Sequence, residues 1–307
     1  MVNIVVVGSL NMDLVVQVPE IPKPGETVLG ENFLTIPGGK GANQAVAAAR
    51  LGAEVSMVGQ VGADAYGEAL VANLEAEGVK IGNVNIDEKT ATGIAMIAVD
   101  SNGQNSIAVA SGANFTLTKE MIRQAWKKID AIDVLVMPLE TPPDTIVEAA
   151  RLAKEKGAKV VLNPAPARKL EDELLALVDV LVPNEHEVFQ IIDQPGLNDL
   201  PDAASLIHQK GVLALVTTLG GEGVSILEKG MDEVRVPANK VNVVDTTAAG
   251  DSFVAALAIG IAEERNLEDA CLYANAVGAL TVTKMGAQPS LPTKKEVDKF
   301  LDEQEIQ

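Results

Sequence analysis

Apolar residues follow two rhythms along this chain. Short runs rich in Val, Ile and Leu, at 3–8, 54–59, 133–138, 159–164, 180–184 and 213–218, are nearly continuous rather than alternating. Such runs mark strands buried on both faces. Between them, 41–51, 66–77, 144–156 and 202–210 predict helices, and 250–264 and 267–283 predict two long helices near the end. Strands alternating with helices imply a mostly parallel sheet covered on both sides, built as one α/β domain over 1–307.

Two stretches break the rhythm. Residues 12–36 carry strand runs separated by Pro and Gly, and 91–112 reads as a hairpin with turn signals at 100–104. In IAMIAV both alternating faces are apolar. These insertions predict a small β lid. One face would close over a ligand; the other needs a partner, most simply the lid of a second subunit, which predicts a homodimer. The acidic tail from Leu301 is expected to fray.

Composition narrows the function classes. The 307 residues are 47% hydrophobic but only 3% aromatic, so the core must be aliphatic. A net charge of -19 argues against sequence-independent binding to nucleic acid or to an anionic membrane. An anionic ligand would need positive potential from main-chain amides, helix N-termini or a metal. The single cysteine, Cys271, fits a reducing cytoplasm and is expected to be a buried small hydrophobe. No signal peptide is read at the start, and apolar runs of about ten residues are too short to cross a bilayer.

Candidate chemistry lies mostly where strands end. Asn11 and Asp13 follow the first strand; they could hold neighbouring hydroxyls, or form an Asx turn. In PGGKGANQA, Gly39 and its neighbours would let main chain approach a ligand, with Lys40 and Asn43 beside it; a flexible loop with a capping Asn is the alternative. Lys40 is followed by Gly41, so this is not a phosphate loop of the Walker type, and a dinucleotide fingerprint is missing. Glu140 ends another strand and either points into the same crevice or is a loop carboxylate. Asn184 and Glu187 share a helical face; they fit water held on magnesium, and equally a capping box. Thr218 and Gly220 border a nucleotide or simply turn a hairpin. In VDTTAAGDSF, Ala248, Ala249, Gly250 and Asp251 open a helix, where small side chains leave unpaired N–H groups free for an anion. Asp251 could then be a general base, or an acid that favours the helix dipole.

Taken in order, NMD, GGKGAN, PLE, PNE, TLG, DTTAAGD and GAQPS resemble the ribokinase-like carbohydrate kinase family over nearly the whole chain. The resemblance implies a three-layer α/β sandwich with a β lid and ATP-dependent phosphorylation of a sugar. D-ribose at its 5-hydroxyl is the expected acceptor; another sugar, a nucleoside, or a non-catalytic sugar-binding role are the alternatives. It implies Asn11, Asp13, Gly39, Lys40, Asn43 and Glu140 on the sugar, Asp251 as base, and an anion hole at Ala248, Ala249 and Gly250. Asn184, Thr218, Gly220 and Asn275 would lie along ATP, with Glu187 tied to Mg²⁺. Asp245, Thr247, Thr281, Lys284, Gly286 and Ser290 would form a K⁺ site, several through carbonyls. This chain reads AAGD where many members read GAGD.

Overall fold

The structure, a computed structural model, describes residues 1–192, 194, 197 and 199–305. In chain order it comprises β1 (Asn3–Val7), β2 (Asn11–Gln17), β3 (Phe33–Gly38), α1 (Lys40–Arg50), β4 (Glu54–Gly62), α2 (Ala65–Ala76), β5 (Lys80–Asp87), β6 (Gly93–Val99) and β7 (Asn105–Ala110). Then follow α3 (Lys119–Trp126), β8 (Val134–Met137), α4 (Pro143–Glu155), β9 (Lys159–Leu162), α5 (Asp172–Leu175), β10 (Val180–Leu181), α6 (Glu187–Ile192) and α7 (Leu200–Gln209). The chain closes with β11 (Ala214–Thr218), β12 (Val224–Glu228), β13 (Val234–Val236), α8 (Ala249–Ala262), α9 (Leu267–Thr281) and α10 (Lys294–Glu305).

The main sheet runs β13-β12-β11-β10-β9-β8-β1-β4-β5. It is parallel from β11 to β5; β12 alone runs against the others, and β13, antiparallel to β12, returns to the common direction. Alternate residues of β1 feed two separate cores. Ile4 and Val6 join the side packed by α1, α8 and α9, whereas Val5 and Val7 join the side packed by α3, α4 and α7. Both faces are therefore covered, as the continuous apolar strands require. Helix α8 is buried through Asp251–Gly260, which is why its sequence is apolar all round. It lies close to α9, since a Cβ at Gly260 would come within 2.6 Å of the Ala270 Cβ.

A second sheet, β3-β2-β6-β7, gathers strands from both irregular insertions. From β1 the chain order runs outward to β4 and β5 on one side and returns to β8 and β9 on the other. The carboxyl ends of β1 and β8 thus flank a topological switch point, the usual place for a ligand crevice in such sheets. Among the elements that escaped the sequence reading are β5, β13, α3, α5 and α10. The acidic tail does not fray from Leu301, because α10 carries the chain to Glu305; the last two residues of that expected tail lie outside the described ones. Among the described residues no helix is long and apolar enough to cross a membrane.

Candidate active site

Glycines bring the pieces of the site together. A Cβ at Gly41 would sit 2.7 Å from the Cα of Gly8, so α1 can lie against the end of β1 only because both positions lack side chains. Gly39 has φ 89° and would place a Cβ 2.6 Å from the Asn11 nitrogen. That left-handed conformation and close approach are open to glycine alone. Gly38 is packed beneath the Asp13 carboxylate.

Asn11 and Asp13 lie in strand β2, not in an Asx turn. Two residues apart, they project from the same face of the small sheet. Asn114, buried beneath them, gives one N–H to Asn11 Oδ1 at 2.8 Å and accepts the Leu10 N–H at 2.9 Å. The oxygen of Asn11 is thereby occupied, and its amide hydrogens are left for a ligand. Glu140 is not a free loop carboxylate: it accepts from the Ser9 hydroxyl and from the Lys40 N–H at 3.1 Å. Ser9 is fully buried and was not singled out in the sequence; only its place at the end of β1 hints at it.

Asn43 does not cap its helix. The α1 N-cap is Gly39, without a side-chain cap bond, and Asn43 instead donates to Asp251 Oδ2 at 2.9 Å. Asp251 Oδ1 accepts from Gln44 at 3.1 Å. An acid serving only the helix dipole would be exposed on its own first turn, whereas Asp251 is 6% exposed and held by another helix. Its carboxyl is pushed upward by burial, against the pull of Lys40 and Asn43.

The mouth of α8 is open. Ala249 gives its N–H to the Thr246 carbonyl at 3.3 Å, a long bond, while a Cβ at Gly250 would meet nothing. Free amide character is therefore reduced at Ala249 and retained at Gly250 and Asp251. Ala248 takes φ 60°, a left-handed conformation that is strained for a residue with a side chain.

Asn184 and Glu187 form the capping box outright: Asn184 Oδ1 accepts the Glu187 N–H at 2.8 Å, and Glu187 Oε2 accepts the Asn184 N–H at 2.8 Å. One Glu187 oxygen remains, and its charge reaches Lys40 across the crevice. Thr218 does end a hairpin, since β11 and β12 pair antiparallel up to Thr218 and Val224. It also bridges Asn184, so the two candidate nucleotide segments lie side by side, and Gly220 takes φ 56° at the turn. Asn275 is buried on α9 and donates to the Pro237 carbonyl at 3.0 Å.

The six residues of the expected cation site come from the loop before α8 and from the end of α9 with the segment after it. Asp245 accepts the Thr247 N–H at 2.9 Å with one oxygen and the Gly286 N–H at 2.8 Å with the other. Thr281 is buried and gives its hydroxyl to Ser252 at 2.8 Å, next to Asp251. Ser290 bonds to the Ala287 carbonyl. The Lys284 ammonium is turned to Glu296 at 2.8 Å, so only its carbonyl is available to a cation.

Three carboxylates, Asp13, Glu140 and Asp251, thus share the crevice with one cation, Lys40. Asp13 is pushed up to about 7, chiefly by burial and then by Glu140 and Asp251. A carboxyl that ionises there when folded, against 3.8 when free, holds its proton more tightly in the fold. Its contribution to stability is present at low pH and falls as pH rises through 7. Carboxylates held low, such as Asp64, Glu148 and Asp245, finish titrating at lower pH. The ligand-free protein is therefore expected to be more stable at pH 5.5 than at pH 8, by on the order of 1–2 kcal/mol from Asp13. Urea unfolding at the two pH values, with Asp13→Asn as control, measures it; an equal difference in the variant would contradict the assignment.

The fold is shared with known proteins. The model of the "pfkB family carbohydrate kinase" matches residues 1–294. A ribokinase of Haemophilus influenzae is 42% identical over 98% of both chains. The crystal structure of a Thermotoga maritima ribokinase superposes with a TM-score of 0.90 at 36% identity, covering 98% of this chain and 100% of that one. An Arabidopsis thaliana ribokinase complexed with ribose and ATP gives 0.87 at 32% identity, covering 98% and 99%. With a crevice at the switch point, an acid beside an open helix mouth and this likeness along its length, the chain belongs to the pfkB family of carbohydrate kinases.

Proposed function

We infer that this chain transfers the γ-phosphoryl group of ATP to the 5-hydroxyl of D-ribose, giving ribose 5-phosphate and ADP. The observation that carries the reading is Asp251: a buried carboxylate, pinned by α1, in the first turn of a helix whose mouth is open. Relatives named ribokinase and a neighbour complexed with ribose and ATP support the choice of substrates.

Sugar hydroxyls would be held by Asn11, Asp13, Lys40, Asn43 and Glu140, with the main chain of Gly39 alongside. Asp251 takes the proton of the attacking hydroxyl as the new oxygen–phosphorus bond forms and the bond to the ADP oxygen breaks. Such base assistance is worth about 10²–10⁴-fold. Amides at the α8 mouth face the charge on the transferred group, and positioning does the rest. Asn184, Thr218, Gly220 and Asn275 would line the nucleotide.

Among the described residues no three His, Cys, Asp or Glu side chains gather to hold a metal. That suits Mg²⁺, which keeps waters and phosphate oxygens as ligands and asks little of the protein beyond Glu187. When bound it supplies positive charge to a phosphate that a chain of net charge -19 otherwise repels. For K⁺, the set of Asp245, Thr247, Thr281, Lys284, Gly286 and Ser290 offers only oxygens and one carboxylate, which suits a hard monovalent ion. ATP turnover over a panel of pentoses, hexoses and nucleosides, with and without K⁺, tests the whole reading. Ribose is expected to lead and K⁺ to raise the rate. A nucleoside or hexose in first place would reassign the substrate, no ATP consumption would leave a binding protein, and indifference to K⁺ would remove that site.

The small sheet would act as a lid in a homodimer. From Asp13, the same face continues through Val15, Leu34, Ile97 and Ile107, which are paired across all four strands, so the partner would meet the ligand-closing face and not the opposite one expected from the sequence. Ile107 and Leu34 are about half exposed, an apolar surface contiguous with the sugar site. Ile107→Asp is expected to give a monomer by light scattering and a raised ribose KM; an unchanged mass would refute this interface. A cytoplasmic location, where ATP is at hand, goes with this reading.

A further inference from the structure

Asp251 can act as a base only if one oxygen faces the sugar and the group stays ionised while buried. The structure points to a device for both in Gln44, which sits in an Ala-rich stretch of α1 and is fully buried. We propose that Gln44, anchored by Asn163, is a positioning residue that locks the Oδ1 edge of Asp251 and leaves Oδ2 as the oxygen that takes the substrate proton.

The hydrogen-bond directions follow link by link. Asn163 ends β9 and donates its side-chain N–H to the Val182 carbonyl at 3.0 Å, which fixes the orientation of its amide. Its Oδ1 therefore faces Gln44, whose Nε2 donates to it at 3.2 Å. The same Nε2 donates to Asp251 Oδ1 at 3.1 Å. Both hydrogens of that amide are spent on acceptors, so the Gln44 side chain cannot flip without losing two bonds. Gln44 Oε1 is left without a partner, and so is Asn43 Oδ1; both are buried.

The two Asp251 oxygens are then unequal. Oδ1 is tied through Gln44 and Asn163 to the sheet. Oδ2 is tied to Asn43, a residue that the functional reading places on the sugar, and this inference rests on that reading for the proton's destination. Around Asp251 stand Lys40 at the start of α1, Glu140 after β8 and Asp13 on β2. Lys40 and the two amide donors oppose the upward push of burial, while Glu140 adds to it. Removing the Gln44 donor should therefore raise the pH at which Asp251 ionises.

Gln44→Met keeps length and packing but deletes the donor. Its kcat at pH 7 is expected to fall about tenfold or more, the range for a hydrogen bond to a charged group. The acid limb of the kcat profile should move to higher pH, so that part of the loss is regained by raising pH, with ribose KM within about threefold of the parent. Asn163→Leu, which frees the amide without touching Asp251, should shift the limb in the same direction. The carboxyl ¹³C titration of Asp251 in the ligand-free protein reads the same shift without any substrate. A shifted titration in a parent that does not phosphorylate ribose would uphold the lock and reject the ribose reading. An unshifted titration and unchanged limb in Gln44→Met would overturn the proposal, whatever happens to activity.

Discussion

Asp251→Asn is expected to fold, to bind ribose, and to lose turnover by at least about 10²–10⁴-fold, the span of base catalysis. Asparagine matches aspartate in shape but cannot take the proton. One of its two oxygens becomes an N–H₂ that confronts Asn43 or Gln44, both donors here. That conflict is offset by removing a charge that burial disfavours. The melting temperature should therefore change little. Turnover by coupled ADP release and ribose affinity by calorimetry separate the effects. A variant within tenfold of the parent would take the base role away from Asp251, and with it the account of why the α8 mouth lies beside an acid.

The second large effect comes from a residue that offers no functional group. Gly38→Ala should leave the protein folded and raise the ribose KM about 10–100-fold, the cost of a lost hydrogen bond to a charged group. The new methyl would collide with the Asp13 carboxylate, not with main chain. Gly38 is not among the positive-φ glycines, so its backbone accepts alanine. The carboxylate must swing away, and the surface proposed to hold sugar hydroxyls is lost. Ligand-free stability by thermal melting and KM by initial rates test this together. A KM equal to the parent's would show that Asp13 can be displaced without consequence and so does not hold sugar.

The layers of the fold were readable because apolar rhythm is set by burial. Continuous runs such as 3–8 and 159–164 became central strands, and the Ala- and Gly-rich run after Asp251 became the buried helix α8. β5 was missed because it lies at the edge of the sheet and mixes polar with apolar residues, as in KIGNVNID. α3 and α10 were missed because they cover the surface and carry many charges. The chain shows which residues end strands and which open a helix, and so Glu140, Asn184 and Asp251 could be named. It does not show pairings that cross more than a hundred positions. Ser9 with Glu140, Asn114 with Leu10 and Asn11, and Gln44 with Asp251 all join distant segments. A polar residue inside the Ala-rich run of α1 was the available signal for Gln44. Asn184 and Glu187 show the limit from the other side, since one spacing fits a capping box, which is what forms, and equally the ligand contact proposed for the same pair.

The outer rim of the small sheet carries a liability of its own. β7 pairs with β6 on one side only, and each of its residues, Asn105–Ala110, is exposed. It has no lysine, proline or bulge to discourage another strand from adding on, and Ile107 and Val109 are apolar. The subunit pairing proposed through this sheet would thus also serve solubility. A protomer deprived of its mate would expose a template for open-ended strand stacking, and concentrated stocks of monomeric variants should cloud before they unfold.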